Sequence, residues 1–186
     1  VAGLTGTAVV AGGATTDLDG KYYAGDTVNV TGTAVGAFAD PNAGTGKAVS
    51  ISGLSVDNSN YSVSHANATA DIAQKALTAS GLSGVNKIYN QSAVAGLTGT
   101  AVVAGGATTD LDGKYYTGDV VNLTASAAGT FVLGPGAGLG KAVLISGLTV
   151  DNSNYTVSDA NTTADIAQKA LTASGLSGVN KIYNQS

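Results

Sequence analysis

The sequence predicts an all-β protein made of two tandem β-sandwich domains that form an elongated rod. Three observations predict it. Long stretches recur: Lys87-Ile88-Tyr89-Asn90-Gln91-Ser92 returns letter for letter as Lys181 to Ser186, and Val1 to Tyr23 returns as Val94 to Tyr116. The period is long. Val1 matches Val94, and one inserted residue after Phe38/Phe131 makes Lys47 match Lys141, a spacing of about 93 residues. That exceeds the repeats of solenoids and propellers and suffices for a small domain of its own. Finally, short alternating segments are separated by Gly, Asn and Asp turns, the pattern of a sandwich with about seven strands per unit.

The elements follow in order. Val1 to Ala11, with Leu4, Ala8, Val9 and Val10 among Thr and Gly, reads as a weak strand. Gly12 to Gly25 is turn-rich, because Asp caps turns with its own side chain and Gly supplies positive φ. Thr27-Val28-Asn29-Val30-Thr31 alternates, and Val121 and Leu123 keep the pattern in the second copy. Phe38 and Phe131, the only Phe residues, are expected core anchors. After the turn from Asp40 to Gly46, Lys47 to Val56 places Val49 and Ile51 on one face, so the two segments read as a hairpin with one wet face. Asp57 to Asn60 is a turn and Tyr61 to Ser64 alternates again.

Asn67 to Gly81 is ambiguous. Ala68 to Leu77 favours helix locally, with Asn67 as a possible N-cap and Gly81 as a stop. Yet Ile72, Leu77 and Leu82 make a poor helical stripe, and the alternative is two strands in line, Ala70 to Ala73 and Ala76 to Ala79, passing from one unit to the next. The strand reading agrees with every other element.

Composition narrows the function. Charged residues are 11%, all Lys or Asp, and the net charge is −4. With no Arg and no basic patch, nucleic acid is not an expected partner. No apolar run has membrane-span length, so no membrane insertion is expected of this segment. The absence of Cys removes disulfides and thiolate metal sites. The absence of Met leads us to expect a segment of something larger, with any signal or anchor outside it.

The ordered set Lys87, Tyr89 and Ser92; Gly25, Asp26 and Val28; Gly36, Phe38, Ala39, Asp40, Asn42, Gly44, Gly46 and Lys47; Asn60 and Tyr61; and Ala70, Asp71, Ile72, Lys75, Ala76 and Leu77 carries a resemblance. It resembles the YDG-type tandem repeat of large bacterial surface adhesins, the haemagglutinin-like exoproteins of two-partner secretion. The resemblance covers essentially the whole chain, twice. It departs at Asn90-Gln91, where the family pattern has Asp-Gly, and at Val132 to Gly136, which replace Ala39-Asp40-Pro41-Asn42. It implies immunoglobulin-like sandwiches, an extracellular, cell-surface location, and a structural role in adhesion or biofilm. It implies no catalytic residue.

Candidate sites are weighed against plainer roles. Gly44-Thr45-Gly46-Lys47 fails as a phosphate loop, since Pro41 stands where Gly is needed and Ala48 where Ser or Thr should hold a metal. Asp17, Asp19 and Asp26, repeated as Asp110, Asp112 and Asp119, begin like a calcium loop but lack the closing Glu; turn chemistry accounts for them. His65, the only His, is Asp159 in the other copy, and no triad can be built around it. Lys87 and Asn60 are conceivable partners for an isopeptide staple, although no Glu is present to assist. Tyr22-Tyr23 and Tyr115-Tyr116 could stack on sugars, though one of each pair should pack under its turn. Asn29, Asn60, Asn67 and Asn90, with Asn122, Asn154, Asn161 and Asn184, open Asn-x-Ser/Thr glycosylation sequons. No catalytic residue, metal site or cofactor is expected, and the chain is expected not to be an enzyme.

The expected organisation is a first sandwich over residues 1–74, its opening strand missing or supplied by a neighbour. A second sandwich follows over 75–168, and residues 169–186 are the opening strand of a following repeat. The expected function is a rigid spacer in an adhesin shaft or filament, joined end to end with neighbouring repeats or subunits by strand addition. The alternative is a carbohydrate- or protein-binding module whose binding surface lies between Ala24 and Ala68.

Overall fold

The computed structural model describes residues 1–183 and 185. The sequon at Asn184, the final Ser186 and the side chain of Asp159 lie outside the described residues. The protein is all-β, with ten strands and no helix among the described residues. It divides into two compact units, residues 1–75 with 152–156, and residues 76–151 with 157–186.

The first unit carries a three-stranded antiparallel sheet in the order β1 (Val30–Phe38), β2 (Gly44–Val56), β3 (Ala68–Ile72). The hairpin pairs Phe38 with Val49 and Val30 with Val56. Val49 is buried and Ile51 half-buried, whereas Ala48, Ser50 and Ser52 are exposed, so one face is wet as expected. Asp40 closes the turn by accepting from the Asn42 amide at 2.9 Å and pairing with Lys47 Nζ at 2.5 Å. At the other end both oxygens of Asp57 hold Asn29, one on its backbone N–H at 2.8 Å and one on its side-chain amide at 2.7 Å. Residues 152–156 complete this unit, with the Lys75 amide donating to Asn154 O at 2.9 Å and Gln74 Nε2 to Ser153 O at 2.9 Å.

Mid-hairpin, β1 and β2 cross at Gly32 and Gly53. Both have positive φ (83° and 84°), and a Cβ on either would lie 2.3 Å from the opposite strand's backbone oxygen. Only glycine permits that bulge. In the second copy Gly32 is replaced by Ala125, and the corresponding hairpin is broken. It retains β7 (Ala128–Phe131) and a single bridge from Leu123 to Val150.

The second unit is built on a curled seven-stranded sheet, ordered β5-β10-β8-β7-β6-β4-β9. The strands are β4 (Lys75–Val85), β5 (Lys87–Ile88), β6 (Val94–Val103), β7, β8 (Gly138–Ser146), β9 (Tyr155–Asp159) and β10 (Thr162–Ala167). Ala95, Phe131, Val143, Ala164 and Ile166 form its core cluster, with Tyr89 and Leu97 packed against it. Leu77, Ala79, Ile145 and Leu148 are also buried.

Asn67 to Gly81 is thus strand, as β3 and the first part of β4, and not helix. Tyr61 to Ser64, read as a further alternating segment, carries no strand, and two more strand expectations need correction. Val1 to Ala11 is not a strand; among these residues a bridge joins Ala2 to Gly36. The first unit's sheet also has three strands rather than about seven. Both differences have one cause. The same sequence forms the strand β6 at Val94–Val103, where β4 and β7 lie alongside. Residues 3–10 have no such neighbour, and a strand is not stable without one.

Candidate functional site

The second unit shows what the repeated hexapeptide does. Lys87 and Ile88 add a short parallel strand to β10, opposite Ile166 and Ala167. The Tyr89 amide donates to Ala167 O at 2.9 Å, and Asn86 Oδ1 accepts from the Asp165 amide at 2.7 Å. The Lys87 side chain lies back over its own turn. Its ammonium donates to Ser92 O at 2.5 Å and Val94 O at 2.8 Å, and sits 5.2 Å from the centre of the Phe131 ring. An ammonium over an aromatic face is attracted by the ring quadrupole. Tyr89 packs on the core cluster beside Leu97. The turn that follows holds Gln91 in the left-handed region, at φ 65°. Asn90 Oδ1 steadies it by accepting from the Ser92 amide at 3.2 Å.

The first unit has the same socket, open. Phe38, Ile72 and Ala70 correspond to Phe131, Ile166 and Ala164. The latter three are 1%, 1% and 4% exposed, whereas the former are only half-buried. A groove of about 410 Å³ lies over them, lined in part by Val1, Phe38, Asp40, Pro41 and Ile72. Its chemistry suits an extended segment: apolar side chains on the floor and the β3 strand edge along one side. Among the described residues no other strand pairs with that edge of β3.

The remaining predicted residues serve the turns. Asp19 accepts from the amides of Thr15, Thr16 and Lys21, at 2.7, 3.4 and 3.1 Å, and these hydrogen bonds, led by Thr15, hold its carboxyl below the usual range. Asp17 accepts from the Tyr23 hydroxyl, and Asp26 from the Tyr61 hydroxyl at 2.6 Å. Each carboxylate therefore serves a different donor. Among the described residues no three His, Cys, Asp or Glu side chains converge as a metal site would require. The hydrogen bond to Asp17 raises the Tyr23 hydroxyl above its ordinary value, and that to Asp26 raises Tyr61.

Tyr22 is half-buried, its ring against Gly12 and edge-on to Tyr61 at 6.5 Å, while Tyr23 is 47% exposed. The two tyrosines therefore divide the roles as expected, one under the turn and one outside it. In the second copy Tyr115 packs on Gly105 and the Tyr116 hydroxyl donates to Asp110. His65 is half-buried and its Nε2 has no hydrogen-bond partner. Of the sequons, Asn29 and Asn122 hold their amide groups against Asp57 and Asp151, whereas Asn60, Asn67 and Asn90 are exposed. Lys87 is engaged with its own turn, as above, and the Asn60 amide donates to Asn58 Oδ1.

The recurrence of the hexapeptide is legible in the sequence, whereas the open groove of the first unit is not. The available signal was the buried register: Ile72 and Phe38 occupy positions that need a lid in either copy.

Residues 3–70 match the sequence model of the YDG domain, so a YDG-type domain occupies that stretch. No curated protein and no solved structure matches the chain.

Proposed function

We propose that the chain is a structural segment of an extracellular bacterial adhesin shaft or filament. It acts as a spacer made of immunoglobulin-like sandwich modules that join end to end. The observation that carries this reading is the recurrence of one sequence unit of about 93 residues, identical over Thr69 to Ser92 and Thr163 to Ser186. The YDG-type domain at residues 3–70 supports it. Function then resides in each module's core and in its joint with the next, as in other repeat arrays.

Two experiments test the reading. Antibodies to the chain should label intact, unpermeabilised producing cells; labelling only after lysis would sink the extracellular role. Stretched between its ends, the chain should yield in discrete steps, with about 300 Å of contour released by a module of this length. Smooth extension without steps would mean that no load-bearing module exists.

A further inference from the structure

We propose that the segment from Lys169 to Tyr183 of one molecule docks on the first unit of a second copy, filling the open groove and pairing with residues 3–10. The inference deepens the spacer reading, on which it rests, by naming the joint.

The template lies within the chain. Lys75–Tyr89 and Lys169–Tyr183 have the same sequence. The first forms β4 and β5; the second carries no strand. Three apolar side chains whose twins are covered in β4 or just after β5 stand in water: Leu171 is 89% exposed, Leu176 93% and Tyr183 83%. The corresponding Leu77 is fully buried, and Tyr89 packs on the core. A contiguous set of large apolar side chains left exposed marks an interaction segment.

The acceptor has the matching deficit. In the second unit β4 pairs with β6 through Val85↔Gly96, Gly84↔Leu97, Ser83↔Thr98, Leu82↔Gly99 and Ala79↔Val103. Transposed by the repeat, this sets Val179 opposite Gly3, Gly178 opposite Leu4, Ser177 opposite Thr5, Leu176 opposite Gly6 and Ala173 opposite Val10. The β5–β10 register likewise sets Lys181 opposite Ile72 and Ile182 opposite Ala73. Tyr183 then enters the groove over Phe38 as Tyr89 enters beside Phe131.

Both partners are already shaped for the joint. The β4–β6 pairing needs positive φ at Gly81 (91°) and Gly99 (97°), whose strands approach so closely that no Cβ fits. Gly175 (88°) and Gly6 (93°) hold the same conformation, with nothing within 4 Å of where a Cβ would stand. Gln185, at φ 60°, repeats the left-handed turn of Gln91. Holding these angles beforehand lowers the ordering cost of docking. A row of unpaired strand groups is the usual substrate for strand addition.

The test is light scattering of the 186-residue chain across a concentration series, beside the variants Leu171→Asp and Tyr183→Asp. Both positions are exposed in the single chain, so neither variant should disturb its fold. We expect the parent's mass to grow beyond the 18.0 kDa monomer and both variants to stay monomeric. A synthetic peptide of residues 169–183 added to Leu171→Asp should slow amide exchange at Thr5, Val9 and Val10 by about tenfold or more. Constant monomer mass for the parent overturns the proposal, as does growth that persists in Leu171→Asp. Protection of residues 3–10 in the parent without growth would mean that the segment folds back on its own chain, which also overturns it. Surface labelling and the force response do not depend on this joint, so its failure is separable from failure of the spacer reading.

Discussion

Residues 75–89 and 169–183 are one sequence with two structures. In the first, Leu77 is fully buried within an 11-residue strand; in the second, its twin Leu171 is 89% exposed and no strand forms. Propensity, turn signals and hydrophobic pattern are identical, so none of them made the difference. What differs is the presence of neighbours beside the first stretch, β6 and β9 on either side of β4 and β10 beside β5. Strand formation here belongs to the pair, because a lone strand leaves its backbone groups to water and gains little burial.

The sharpest way to break that comparison is to truncate both leucines. Leu77→Ala should destabilise the second unit by about 2–5 kcal/mol, the range for a fully buried leucine, while Leu171→Ala in the monomer should leave the thermal midpoint unchanged. Equal effects would mean that Lys169 to Tyr183 is already packed in solution. A second experiment asks whether the glycine crossing is as necessary as the neighbour. Gly99→Ala forces a Cβ to within 2.1 Å of Gly81 O at φ 97°, so a loss of at least about 2 kcal/mol is expected in a chemical melt. The same change at Gly6, where nothing lies within 4 Å, should cost only the backbone term of about 1 kcal/mol.

Smaller effects sharpen the picture. The raised hydroxyls of Tyr23 and Tyr61 contribute stability that is complete below the ordinary tyrosine value of 10.0 and is lost as pH rises through their higher folded values. Melts of the chain should therefore fall above pH 10, and Tyr61→Phe should flatten the fall. The lowered carboxyls of Asp19, Asp40, Asp57 and Asp151 act oppositely. Their contribution is present above 3.8 and fades as pH drops through their lower folded values. A melting profile flat between pH 2 and 4 would contradict those hydrogen bonds.

The least costly probes concern single turns. Gln91→Gly should stabilise the second unit by about 1 kcal/mol by relieving its left-handed backbone. Ala125→Gly should restore the broken hairpin, read as slower amide exchange at Ser126 and Ala127.

Much of this was legible beforehand. The wet face of the hairpin follows from the alternation of Val49 and Ile51 with Ser50 and Ser52, and the turns follow from Asp and Gly. The passage from Ala70 to Ala79 could be read as strand because its apolar spacing fits no helical face. The strand assigned to Val1 to Ala11 could not be checked in this way. Its pattern is the same as that of β6, and a single sequence does not state which neighbours will be present. Nor does the sequence reveal that Asp17, Asp19 and Asp26 answer to different donors, since proximity along the chain resembles convergence until the turn is built.

The grip of Asp57 on Asn29, repeated by Asp151 on Asn122, bears on chemical ageing. Asparagine decays when its side-chain carbonyl swings back onto the next backbone nitrogen and the amide departs as ammonia. At these two positions the departing nitrogen is tethered 2.7 and 2.8 Å from a carboxylate oxygen, which holds the carbonyl away from that attack. The chain also has no thiol, thioether or indole, the side chains oxidants attack most readily, so at these two positions neither ageing route has an easy entry.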